Sequence, residues 1–140
     1  MSDGHAKPLP AVDDPLTAPF WMATREHRIV AQRCVHCSYL RWPPGPVCPE
    51  CGSREAMWAD IRASGTLWSF AEYHRAFSPA FASDLPYTVG LVELDDGPRM
   101  YGTLRGAPGS FTIGDRVRAE FEDKTDDVTL VAWRIAEGKS

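Results

Sequence analysis

The sequence predicts a mainly β fold: an N-terminal helical segment, a metal-stapled ribbon and a C-terminal five-stranded barrel of OB type. Three observations point to it. All four cysteines lie between residues 34 and 51, in two pairs of identical spacing. After residue 58, five short runs of β-branched and aromatic residues are separated by turn signals, and their number suits a small barrel better than a sandwich, which uses about seven strands. Finally, 12 prolines and 11 glycines in 140 residues imply short elements joined by many turns.

Taken in order, residues 1–14 are polar, carry prolines and show no periodicity, and are expected to form a mobile arm. Residues 15–33 hold a short helix in "DPLTAPFWMATREHR" and a lead-in strand in "RIVAQRC". Thr17 is the expected cap, Pro19 falls in the first turn, and Phe20, Trp21 and Ala23 share the apolar side. Residues 34–57 form the ribbon, with too few aliphatic side chains for a core of its own. Residues 58–140 form the barrel, with strands expected at 66–75, 87–95, 99–106, 115–123 and 128–135. The fourth is the cleanest case, because Val117, Ala119 and Phe121 alternate with Arg116, Arg118, Glu120 and Glu122. "DDGP" at 95–98 and "DKTDD" at 123–127 supply hairpin turns.

Cys34 and Cys37 form one pair and Cys48 and Cys51 the other, each separated by two residues. Two intervening residues let a tight knuckle aim both sulfurs at one ion, and two knuckles complete a tetrahedral S4 site. The second knuckle, "CPECG", has Gly52 free to take positive φ, whereas the first, "CVHCS", places Ser38 there. Four soft thiolates suit zinc or a single iron, and zinc is favoured because no electron-exchange domain is evident. His36 lies inside the first knuckle and reads as a solvated loop residue, since the cysteines already fill the tetrahedron. A closed S4 site has no open position for substrate, so this metal is expected to be structural.

Composition narrows the function classes. The formal charge is -4, and four thiolates on a divalent ion bring the loaded form to about -6. Basic residues never number more than two in any four consecutive positions, which argues against a nucleic-acid surface. No signal-peptide core and no run near ~18 apolar residues is present, so a cytoplasmic protein with no membrane span is expected. Common hydrolase, metalloprotease and nucleotide-binding motifs are absent. His74, at the end of the first barrel strand with Glu72 two residues away, is either an acid–base pair or a hydrogen-bonded pair at a strand edge. Phe20, Trp21, Tyr39 and Trp42, with Pro43 and Pro44 of "PPGP", exceed what a small ribbon can bury and are candidates for a partner-docking surface. His74, Arg75 and Phe77 are candidate contacts for acyl-CoA, whose phosphates want a basic side chain and whose adenine wants an aromatic or apolar slot.

The order of these features resembles the bacterial and archaeal "domain of unknown function 35" family, acyl-CoA-associated OB-fold proteins with a rubredoxin-like zinc ribbon. The resemblance runs through "PFWMATREHRIVAQRCVHCSYLRWPPGPVCPECGS", "SGTLWSF", "PYTVGLVELDDGPRMYGTLRG" and "IGDRVRAEFE", about residues 15–123; Ser38 departs from the usual glycine. It implies a zinc ribbon with Cys34, Cys37, Cys48 and Cys51 as ligands, an OB barrel, and no catalytic residue. It further implies a non-catalytic accessory subunit of a thiolase-like enzyme (a lipid-transfer-protein-like thiolase or aldolase) or of a MaoC-like enoyl-CoA hydratase. The setting would be acyl-CoA metabolism, including steroid side-chain degradation, and the assembly a hetero-oligomer. The residues themselves also admit a free-standing acyl-CoA-binding module or a single-stranded nucleic-acid-binding OB protein.

Overall fold

The computed structural model describes residues 7, 9–76 and 78–136. Half of the expected N-terminal arm, residues 1–6 and 8, therefore lies outside the described residues, as does Phe77. Lys7 is described: its ammonium lies 2.5 Å from the Asp84 carboxylate and 5.5 Å from the centre of the Phe81 ring.

Helix α1 spans Ala18–Arg25, with Pro19 in its first turn, where a missing N–H costs nothing. Thr17 occupies the cap position, but its hydroxyl makes no capping bond. Asp14 does the work instead: its carboxylate accepts from Leu16 N at 2.9 Å and its carbonyl from Thr17 N and Ala18 N at 3.0 and 2.7 Å. Beyond the helix, His27 takes φ 59° and lets Arg28 N reach back to Ala23 O at 2.9 Å.

Behind the helix lies a three-stranded sheet in the order β2–β1–β3, formed by β1 Ile29–Cys34, β2 Leu40–Arg41 and β3 Ala56–Ile61. β3 runs across the expected ribbon–barrel boundary at 57/58 and pairs with β1 along its length, from Ile29 opposite Ile61 to Cys34 opposite Ala56. Its sequence, "AMWADI", has no clean alternation, which hid the strand.

The remaining strands are β4 Ser64–Tyr73, β5 Tyr87–Leu94, β6 Arg99–Arg105, β7 Arg116–Asp123 and β8 Thr129–Ile135. They close a barrel in the order β4–β5–β6–β8–β7, with β7 returning to β4. All neighbours are antiparallel except β6 and β8, which meet in parallel at Leu104–Trp133 and Arg105–Arg134. This is the five-stranded OB arrangement expected from the strand count. A bulge between Leu67 and Ser69 turns Trp68 outward, where the Arg99 guanidinium lies 4.0 Å from its ring. Inside, Trp133 is fully buried and packs against Gly102; a Cβ there would stand 2.6 Å from the indole. Phe20, Ile29 and Ala31 belong to the same apolar cluster as Leu67, Val92 and Trp133, so ribbon, helix and barrel share one core.

The β5–β6 hairpin clamps the ribbon–barrel junction. Asp95 takes two bonds of 2.8 Å from Arg116 and one of 2.6 Å from the Ser64 hydroxyl, while Asp96 accepts from the Arg62 amide at 2.7 Å and its guanidinium at 3.1 Å. Both carboxyls are held below the usual carboxylate range, Asp95 first by Arg116 and Asp96 first by the Arg62 backbone amide. A depressed folded-state value stabilises the fold above the unfolded value of about 4 and is lost as pH falls through the folded one. We expect the urea midpoint of Asp95→Asn to lie below that of the parent at pH 7, with the gap narrowing progressively as pH falls below the unfolded value of about 4 toward the depressed folded one.

Candidate metal centre and the groove beside it

The two knuckles are built alike. Ser38 N donates to Cys34 O at 3.0 Å and Gly52 N to Cys48 O at 2.9 Å; Cys34 N donates to Tyr39 O and Cys48 N to Ser53 O. Both residues after the second cysteine take positive φ, 66° at Ser38 and 80° at Gly52. The first knuckle thus puts a serine in a conformation that disfavours a Cβ by roughly 1–2 kcal/mol. Ser38→Gly should raise the unfolding free energy of the metal-loaded protein by several tenths to about 1 kcal/mol, offset in part by unfolded-chain entropy, as read from urea melts.

All four Sγ atoms lie within 4.8 Å of one another, and the close approaches, Cys34–Cys51 and Cys37–Cys48, are both 3.6 Å and both cross between knuckles. A tetrahedral ion with bonds of about 2.3 Å needs sulfurs roughly 3.8 Å apart, so the donor set fits one zinc. Without a cation the four thiols cannot all ionise. Cys34 is drawn down to about 6, chiefly by the Cys37 backbone amide. Cys37 is pushed up to about 12: the Tyr39 amide pulls it down, but desolvation and the neighbouring sulfurs outweigh that. A bound divalent ion removes this conflict and supplies the ribbon with the core it lacks. His36 points away to Glu55, with Nε2 2.7 Å from Oε1, and is no ligand.

Beside the ribbon runs an apolar groove of about 480 Å³. Phe20 and Trp21 of α1 and Trp42 and Pro43 of the ribbon form one wall; Met100, Tyr101, Gly102 and residues 130–132 of the barrel form the other. Phe20 is only 2% exposed, with its ring 4.9 Å from Trp21 and 4.2 Å from Trp42, so it is a core residue that braces the groove rather than a surface contact. Pro44 is half-buried and does not line it; Tyr39 is exposed on a separate depression with Arg33 and Asp96. Tyr101, 71% exposed, is a residue the sequence reading missed. Its signal was the alternation with buried Met100. His74 and Arg75 are exposed beyond β4, and His74 Nε2 lies 3.0 Å from Glu72 Oε1, leaving a surface pair with no nucleophile described beside it. Among the described residues no helix is long and apolar enough to cross a membrane.

A rubredoxin-like ribbon fused through a shared core to an OB barrel defines a zinc-ribbon–OB protein. Residues 21–56 match the family description "ChsH2, rubredoxin-like zinc ribbon domain" and residues 58–122 match "ChsH2, C-terminal OB-fold domain". A chain of the solved "Ltp2-ChsH2(DUF35) aldolase" superposes with a TM-score of 0.80 at 35% identity, covering 90% of this chain and 98% of that one. The benzoylsuccinyl-CoA thiolase subunit BbsA of Thauera aromatica is 30% identical over 74% of this chain and 72% of its own length. A probable enoyl-CoA hydratase alpha subunit of Thermomonospora curvata is 39% identical over 93% of this chain, which spans only 40% of that relative's length. The chain belongs to the domain-of-unknown-function-35 family, in its ChsH2 form.

Proposed function

We propose that this chain is a non-catalytic accessory subunit that docks onto a thiolase-fold acyl-CoA enzyme, a thiolase or aldolase, and is required for that enzyme's assembly and turnover. The observation that carries the reading is the 98% coverage of a chain in an Ltp2-ChsH2(DUF35) aldolase, reinforced by the likeness to a thiolase subunit. The site's chemistry agrees: a closed tetrathiolate holds shape rather than substrate, and the nearest large apolar surface is a groove with aromatic walls. In this reading the enzyme's apolar side chains fill the groove between Trp21, Pro43 and Tyr101, and His74 and Arg75 contact the phosphates of acyl-CoA held by the partner. The complex would work in the cytoplasm, where thiols stay reduced for the metal.

Purifying the tagged chain from its own cells and identifying what comes with it tests this. A thiolase-fold subunit should co-elute in fixed ratio; a MaoC-like hydratase in its place would overturn the choice of partner. Elution of the tagged chain alone, with no acyl-CoA enzyme at any step, would exclude the proposal.

A further inference from the structure

The ribbon buries a charge with no carboxylate against it. Arg41 is 5% exposed, yet its side chain meets no carboxylate among the described residues. Its Nε donates to Gln32 Oε1 at 2.8 Å, its Nη2 donates to Gly45 O at 2.9 Å, and its Nη1 is buried without a partner. Gln32 Oε1 also accepts from Gly45 N at 2.8 Å, so the three residues form a buried clasp. The clasp joins β1, which delivers Cys34, to the 42–47 connection, which delivers Cys48. A buried guanidinium without a counter-ion is strongly unfavourable, so the fold must supply negative charge nearby.

Strand geometry shows where. Gln32 and Arg41 are directly opposite in the β1–β2 ladder, and Cys34 is two residues beyond Gln32, on the same face of β1 and roughly 7 Å along the strand. Four thiolates around a divalent ion carry a net charge of about -2. We propose that Arg41 is the positioning residue of the metal centre: held by Gln32 and Gly45, its otherwise unbalanced charge offsets the dianionic tetrathiolate and fixes the spacing of the two knuckles.

Two variants of the full chain separate charge from mere packing. Arg41→Met keeps the bulk and removes the charge. Gln32→Glu keeps the acceptor oxygens for Arg41 and Gly45 but neutralises the guanidinium locally. With zinc affinity read by competition against a chromophoric chelator, and fold checked by circular dichroism of the loaded protein, each variant should bind zinc at least about tenfold more weakly. Wild-type affinity in either variant overturns the assignment. Gln32→Glu keeps the test decisive should Arg41→Met fail to fold.

Discussion

Cys48→Ser leaves the chain with less than a tenth of a zinc equivalent and abolishes amide-exchange protection in the β2–β1–β3 sheet. The reason lies in how little the ribbon buries: between residues 35 and 53 only Arg41 and Cys48 are buried, so the ion stands in for a core. Structural zinc contributes about 10–16 kcal/mol in isolated zinc-finger peptides, against a typical net stability of about 5–15 kcal/mol for a whole domain. Losing one of four ligands therefore exceeds what the remaining contacts of the ribbon can offset. Because Ile29 and Phe20 sit in one cluster with Leu67 and Trp133, the barrel should be weakened too, with a lower urea midpoint. Chelation of the wild-type protein should reproduce both effects. A metal-free Cys48→Ser chain with native protection across Ile29–Cys34 would contradict this account.

Tyr101→Asp weakens the complex with the partner enzyme at least about 100-fold while leaving the melting temperature of the isolated chain nearly unchanged. Tyr101 projects from β6 into solvent and burial there contributes little to the monomer, whereas aromatic residues at interface centres commonly carry 2–4 kcal/mol each. A carboxylate placed among Trp21, Pro43 and Met100 would have to be desolvated on docking, and Arg99, which also lines the groove, is already stacked on Trp68 and paired with Glu93. Met57→Asp is the control: Met57 is equally a large exposed apolar side chain, but it lies on β3 and outside the groove. Its effect on binding should be small, and equal losses in both variants would show that the groove is not the docking surface.

The barrel was legible because its strands are half-buried. The alternation at Val117, Ala119 and Phe121 placed β7 within one residue of Arg116–Asp123, and turn residues placed the hairpin at Gly97, where φ is 120°. β4 was displaced because the bulge at Leu67/Ser69 breaks the period of two. β3 was not legible as a strand because its partner, β1, is distant in sequence and its own pattern is irregular. The metal centre was the most legible part, since coordination chemistry is written in the spacing of the cysteines. Burial was the least legible: Phe20 reads as a docking aromatic until α1 is folded onto the ribbon, and nothing in "YLRWPPGP" marks Arg41 as the residue that Gln32 and Gly45 enclose. The groove needed three separate segments to be brought together, which no local pattern reports.

If this chain completes an acyl-CoA enzyme without carrying out chemistry of its own, acyl-CoA turnover measured on the co-purifying enzyme alone, on this chain alone, and on the two recombined will show it. We expect no turnover from the chain, little from the separated enzyme, and full activity restored on recombination with the zinc-loaded chain but not with Cys48→Ser. Equal turnover by the enzyme with and without the chain, or turnover by the chain alone, would contradict it.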